Sequence, residues 1–453
     1  MAGKFGGENR GKKGGRGLKP KIAIYRMTTP SPVTSPAPKH TVLPPGAWLM
    51  VAMLWLAGGS NYLSRNLPTT MRGSIVEEIS MTEAQFGLLM SALLWVYAFA
   101  SPFGGFLADR FSRRNMVLGS LSLWSIITSV TAFVENFEQF LALRILLGLS
   151  QAFYIPAAIS LIVDYHRGPT RALAAGVHLT GYIFGASIGG FAGLLAEKHG
   201  WSYAYTVIGL PNLGFGVLLY FLLRDPPRES HELVPTSSAL VEIKFSEALR
   251  SLSKPGPFYV MMAAMCVQGA IGWMIVGWMP TIMAEQFKMG QGAAGFSALG
   301  YLYAAQTAGL LLGGIWSDRW SLTNPRSRII IPALAILLTA PAFWLTGWSP
   351  LMIFTIISLI MWGVAMGCLG ANMMPIVCLI VDVRYRATAM GLLNLVINIC
   401  GGLAIYGVGL LRDAKFGVNL ILTFAGFGVF LCGALLWLTN VLVRRKESAK
   451  LIV

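Results

Sequence analysis

Apolar segments long enough to cross a lipid bilayer recur along this 453-residue chain, and basic residues punctuate every second gap between them. A spanning helix needs roughly 20 apolar residues. Twelve such stretches are read near 47–72, 84–107, 115–135, 138–164, 171–196, 201–224, 256–284, 292–316, 328–348, 350–381, 386–412 and 416–442. With 55% hydrophobic and 12% charged residues and a mean hydropathy of +0.63, most of the chain has no polar shell to present to water. The expected fold is an all-α integral membrane protein with twelve transmembrane helices.

Charge placement sets the expected topology. Arg110, Arg113 and Arg114 follow the second stretch, Arg167 and Arg171 the fourth, Arg319, Arg326 and Arg328 the eighth, Arg384 and Arg386 the tenth, and Arg444, Arg445 and Lys446 the last. The alternate loops are short and acidic or balanced, with Glu77, Glu78, Glu83, Glu135 and Glu138. Positive charge marks the cytoplasmic side, so both termini are expected there and the number of spans is even. The net charge of +16 is therefore read as a topology signal, with no nucleic-acid partner. Residues 1–46 combine a Gly/Lys/Arg-rich start with a Pro/Ser/Thr stretch and carry no apolar core after the basic residues, so they read as a disordered cytoplasmic tail rather than a signal peptide. Met27 is an alternative start that would remove most of those charges. Cys266, Cys368, Cys378, Cys400 and Cys432 stand singly inside apolar runs, which gives neither a disulfide framework nor a metal site, and no cofactor is expected.

A polar segment with proline at both ends, RDPPRESHELVPTSSALVEIKFSEALRSLSKPGP, separates the sixth and seventh stretches and holds one short amphipathic run around 240–252. It divides the chain into a bundle over 47–224, a cytoplasmic linker over 225–255, a bundle over 256–442 and a tail over 443–453. The halves repeat. GGFLADRFSRR (104–114) aligns with GGIWSDRW (313–320), pairing Asp109 with Asp318 and Arg110 with Arg319. LIVDYHRGPTRALAAG (161–176) aligns with LIVDVRYRATAMG (379–391), pairing Asp164 with Asp382 and Arg171 with Arg386, and Pro68 and Pro280 fall at similar places. Repeated halves imply two six-helix bundles that rock about a substrate site near the midplane.

GFLADRFSRR also resembles the G-x3-D-R-x-G-R-R loop of the major facilitator superfamily. Gly105, Asp109, Arg110, Arg113 and Arg114 match, while Ser112 replaces a glycine. The resemblance, which extends over all twelve stretches, implies the major facilitator fold and a gating role for these residues and for Asp318 and Arg319. Charge-assisted bonds at such helix ends must break when the bundles rock.

Two further stretches resemble the anion:cation symporter branch, which includes sugar-acid importers. NYLSR (61–65) is similar to its N-Y-x-D-R, and RILLGLSQAFYIPA (144–157) to its R-x-L-L-G-x-x-E-A-x-x-x-P. The resemblance implies that Arg65 and Arg144 bind a substrate anion. In those relatives the neighbouring carboxylates carry protons, but here Ser64 and Gln151 stand in their places. An arginine at mid-membrane costs about 2.5–3.5 kcal/mol on insertion scales and persists when it faces a cavity and has a partner. An anionic ligand is one such partner; snorkelling, or bonds to helix carbonyls, is the alternative.

No Asp or Glu falls near the middle of any stretch, which leaves His178, with Tyr182 one turn on, as the candidate proton group and uniport or anion exchange as the alternative to symport. Asn61, Gln151, Tyr154, Gln268, Trp273, Tyr301, Gln306, Asn372, Asn394 and Asn398 complete the candidate substrate-binding set; amides inside a bundle serve either a substrate or helix packing. The expected protein is a monomeric carrier of a small organic anion in a bacterial inner membrane.

Two other readings stand beside it. GYIFGASIGG (181–190) resembles the G-x3-G-P-x2-G-G of exporters except at Ala186, and spinster-like lipid transporters share the same arginine motifs. A nutrient sensor that keeps the fold without transport is the other. No nucleophile–base pair, metal spacing or phosphate loop suggests an enzyme.

Overall fold

The computed structural model describes residues 43–166, 170–224, 247, 252, 256–349 and 351–451, without the side chains of Asp109 and residues 449–451. Residues 1–42 of the expected tail over 1–46, with Met27, the residue Arg167, and the linker with its amphipathic run fall outside these, apart from Glu247 and Leu252.

Among the described residues the architecture is helical, without strands. The long helices are α1 (Ala47–Thr70), α2 (Glu83–Arg110), α3 (Arg113–Thr131), α4 (Phe137–Tyr165), α5 (Arg171–His199), α6 (Trp201–Leu222), α7 (Pro257–Phe287), α8 (Gln291–Ser321), α9 (Ser327–Trp348), α10 (Met352–Ile380), α11 (Arg386–Asp413) and α12 (Val418–Leu451). Ten of them are long and apolar enough to cross a membrane. The other two, α1 and α3, are diluted by polar residues, Gly58 to Asn66 in α1 and Arg113 to Asn115 with several Ser and Thr in α3. In α1 Gly58, Gly59, Asn61, Ser64, Arg65 and Asn66 are packed inside the protein.

Helix α12 continues into the expected tail over 443–453 as far as Leu451. Arg444, Arg445, Lys446 and Glu447 are good helix formers, and no Gly or Pro follows Gly433 to stop the helix.

Three spanning helices deviate from regular geometry. The break in α4 falls at Phe153, beside Gln151. Pro156 explains it: proline has no N–H to offer the Ala152 carbonyl one turn back. In α5 the break lies at Ile188 and Gly189, and α8 holds one widened turn over Phe296–Gly300.

The glycines of GYIFGASIGG serve packing. A Cβ on Gly185 would lie 1.9 Å from the Gly59 carbonyl oxygen, and one on Gly181 2.4 Å from that of Trp55, so α1 and α5 touch backbone to backbone. This contact fixes the face of α1 that carries Arg65. Gly185→Leu should therefore separate the two helices, cost about 3 kcal/mol, and appear as a lowered thermal midpoint and a smaller monodisperse fraction after purification.

Candidate functional site

The candidate site is built on α1 and α4, each of which presents an arginine to the other. Arg65 and Arg144 are both only 2% exposed. Seven residues are close to two helical turns, so Arg144 and Gln151 lie on one face of α4. Arg65 Nε donates to Gln151 Oε1 at 3.2 Å, and Gln151 Nε2 donates to the Asn61 carbonyl at 3.1 Å. Arg144 Nη2 donates to the Arg65 carbonyl at 3.0 Å, and its Nε to the Leu89 carbonyl at 3.4 Å. Helix carbonyls and an amide thus take some of the donors, as the alternative to an anionic partner expects. Arg65 Nη2 and Arg144 Nη1 are buried without a hydrogen-bond partner. Among the described residues no carboxylate forms an ion pair with either guanidinium.

Aromatic rings complete the surroundings of Arg65. Its guanidinium carbon lies 4.5 Å from the Tyr97 ring centre, 4.9 Å from Tyr62 and 6.0 Å from Trp273 on α7. Such faces attract a cation while leaving its N–H groups free. Tyr62 was readable as the residue three before Arg65 on the same helix. Tyr97, on α2, gave no local signal; only the packing of α2 brings it here.

His178 is buried one layer further away. Its Nε2 lies 2.9 Å from the Tyr182 hydroxyl, and the Tyr182 ring is 5.0 Å from that of Tyr62. Tyr154 donates to the Leu54 carbonyl at 2.8 Å and packs against His178 with ring centres 6.0 Å apart. The link from His178 to Arg65 therefore runs through ring contacts.

The other candidates are dispersed. Gln268 reaches Met366 Sδ at 3.2 Å and ties α7 to α10. Asn372 accepts from Ser317 at 2.5 Å and donates to the Cys368 carbonyl, joining α8 to α10. Asn398 bonds to Asn394 within α11. Gln306 runs along Gly363 and Gly367 of α10 through its backbone, and Tyr301 is 43% exposed. Among the described residues, Asn61, Gln151 and Trp273 of the wider set meet the arginine pair.

A model of the Major Facilitator Superfamily matches residues 54–405. The chain belongs to this superfamily. It is similar, at 24% identity over 392 residues, to a probable L-galactonate transporter of Escherichia coli K12, covering 83% of this chain and 85% of that one. Spinster homolog 1 of Xenopus laevis is 26% identical over 322 residues, which span 66% of this chain but only 59% of that protein. Among solved structures, a bacterial homolog of the human lysosomal transporter Spinster, inward-facing and unoccupied, superposes with a TM-score of 0.74 at 19% identity, covering 88% of this chain and 98% of that one. This is a multi-pass membrane transporter fold, not an enzyme.

The superfamily loop motif sits at the end of the helices where α1 begins and α12 ends, and its described contacts stay within one bundle. Arg113 pairs with Asp164, joining α3 to α4, and Arg114 donates to the carbonyls of Tyr220 and Leu223 at the end of α6. Arg110 lies 4.0 Å from the Phe106 ring of its own helix, and the Asp109 side chain is outside the description. In the second half Asp318 pairs with Arg328 at 2.9 Å, joining α8 to α9, while Arg319 is exposed. Asp382 and Arg384 pair at 3.2 Å, and this bond holds the Asp382 carboxyl below its usual range.

A cross-bundle cluster of ion pairs, a candidate latch, lies at the opposite, distal end, where the sequence shows only loop charges. Arg72 pairs with Glu83 and reaches Glu285 at 3.5 Å; Arg412 pairs with Glu83 at 3.1 Å and with Glu285 at 2.8 Å. The Asp413 carboxylate accepts the N–H groups of Glu83 and Ala84 at 2.9 Å each, at the positive end of α2. Among the described residues the hydrogen bonds that join the halves, including Ser91 to the Gly402 carbonyl and Trp95 to that of Ile399, run from the middle of α2 and α11 to this end.

Removing Arg412 would leave Glu83 and Glu285 with one cation between them. Arg412→Gln should weaken distal closure by about 1.4 kcal/mol, a tenfold change in population. Thiol labelling at Thr281→Cys reads this directly, since Thr281 borders a 90 Å³ cavity beside Arg72. The expected result is about tenfold faster labelling than with Arg412 intact; an unchanged rate removes the latch role.

Proposed function

We propose that this transporter carries a small organic anion, a sugar acid or comparable carboxylate, by alternating access, with Arg65 and Arg144 as its anion ligands and no coupling proton. The observation that carries the reading is the arginine pair: two buried guanidinium groups on facing helices, each with a nitrogen unpaired and neither in an ion pair among the described residues. A carboxylate offers two acceptor oxygens and the missing negative charge, which is what these donors lack. The sugar-acid name of the Escherichia coli relative supports the same substrate class.

The charge pattern of the loops supports cytoplasmic termini and hence a distal latch on the outer face, and the likeness to the Escherichia coli relative supports a bacterial inner-membrane location. On this view the latch holds the outer path shut and opens when the bundles, 47–224 and 256–442, rock. The chain acts as a monomer.

An amphipathic lipid anion is the second reading. The Tyr62, Tyr97 and Trp273 rings around Arg65 favour it, and so does the spinster resemblance.

Uptake into proteoliposomes tests these readings. L-galactonate, other aldonates, hexuronates and small dicarboxylates are offered with and without an imposed pH gradient, each in competition with a lysophospholipid. Saturable sugar-acid uptake that ignores the gradient is expected. Lipid competition without sugar-acid uptake overturns the substrate class, gradient-driven uptake moves coupling to His178, and binding without uptake points to a sensor.

A further inference from the structure

The arginine pair encloses a cavity of about 10 Å³, bordered by Arg65, Asn66, Met90, Arg144, Trp273 and Val276 among others. That is room for roughly one water-sized particle. We propose that a monatomic anion, chloride or another halide, occupies this cavity when substrate is absent, and that the substrate carboxylate exchanges with it. The proposal rests on the reading of Arg65 and Arg144 as anion ligands and adds what holds the site between substrates.

Charge is the first argument. A guanidinium stays protonated throughout the accessible pH range, so the pair keeps two positive charges that repel each other in a poorly screened interior. The carbonyls of Arg65 and Leu89, the Gln151 amide and the faces of Tyr62 and Tyr97 supply dipoles and ring electrons, but no net charge. Water in the cavity would add one more dipole. An anion supplies the missing charge, which two buried cations require to be stable together.

Size and direction are the second. Arg65 and Arg144 both border the cavity, and each retains an unpaired nitrogen, Nη2 in Arg65 and Nη1 in Arg144. A halide has no fixed lone-pair directions and accepts from both at once. Sulfate, phosphate and any whole sugar acid exceed the cavity, whereas the flexible Met90 side chain can yield the little that a halide needs beyond a water molecule. Trp273, Val276 and Gly277, all from α7, belong to the same wall, so a larger anion enters only when α7 withdraws from α1. The small anion thus fits the closed arrangement and the organic anion the open one. A carrier built this way returns across the membrane loaded with halide and works as an organic-anion/halide exchanger.

Two measurements on the full chain test this. In the first, the thermal midpoint of the purified protein is followed in sodium chloride, bromide and sulfate at matched ionic strength. Chloride and bromide should raise it saturably by on the order of 3 °C over sulfate, and Arg144→Gln should abolish the difference. The same midpoint for halide and sulfate, or a halide shift undiminished in Arg144→Gln, overturns the proposal. If that variant does not fold, anomalous scattering from bromide-grown wild-type crystals replaces it: a peak between the two guanidinium groups supports the site, and its absence overturns it. In the second, L-galactonate uptake is compared in vesicles loaded with chloride or with sulfate. Internal chloride should accelerate uptake about tenfold, in line with a coupling free energy of ordinary size. Uptake independent of internal halide overturns halide exchange while leaving the organic-anion reading intact; halide binding without transport of any organic anion overturns that reading instead.

Discussion

Replacing Arg144 with glutamine is expected to abolish organic-anion binding while leaving the protein folded. The two halves of that expectation have different physical grounds. For binding, losing one partner of a buried charge-assisted contact costs about 2–5 kcal/mol, a loss of roughly 30-fold or more. For folding, Arg144 donates to the Arg65 and Leu89 carbonyls, which already accept helix hydrogen bonds along α1 and α2, and weakly to the Met90 sulfur. Their loss is worth about 1 kcal/mol each, and removing an unpaired buried charge offsets it. The thermal midpoint in a halide-free buffer should stay within about 3 °C of wild type. Arg144→Lys separates charge from geometry: it keeps the cation but loses the fork that donates at once to a carbonyl and to a ligand, and it should recover only part of the affinity. Unchanged affinity for organic anions in Arg144→Gln would remove the residue from the site.

The arginine pair was legible in the sequence because buried charge is rare. Arg65 and Arg144 stand out in apolar runs however the helices pack, and the spacing of Asn61, Arg65, Arg144 and Gln151 already placed them by helical turns. The same reasoning failed for the scattered amides. Asn372 and Gln268 look like pocket residues in one dimension, yet Ser317 and Met366 claim them from 55 and 98 residues away, and the Cys368 carbonyl one turn back takes a further bond from Asn372. Tyr97 was missed for the same reason, since tyrosine in a membrane helix is unremarkable until its neighbour is known. The latch was hidden differently. Arg72, Glu83, Glu285 and Arg412 sit at helix ends, where exposed charge is ordinary, and only the docking of α2 against α11 brings residues 329 positions apart into contact. Periodicity thus recovered the helices, with α12 running longer because sequence holds no breaker where charge begins.

Gln151→Glu should convert the carrier to one that responds to protons, and the hydrogen bonds of Gln151 give the reason. Its Oε1 accepts from Arg65 and its Nε2 donates to the Asn61 carbonyl. A protonated glutamate reproduces both roles, with its carbonyl oxygen facing Arg65 and its O–H facing Asn61. An ionised one reproduces only the first: it neutralises Arg65 and sets a second oxygen against the Asn61 carbonyl. Substrate anions should therefore bind the variant weakly at high pH, by a factor of about ten relative to wild type, and recover as pH falls and the new carboxylate takes up its proton. Wild type, with an amide at this position, should show no such dependence. In proteoliposomes the variant's uptake should accelerate when the outside is made acidic. A flat pH profile in the variant would mean that residue 151 is not in electrostatic contact with the bound anion. An amide cannot titrate, so if wild type itself follows the gradient, the proton must travel by a route that avoids Gln151, and the His178–Tyr182 pair is the nearest one the arginine site touches.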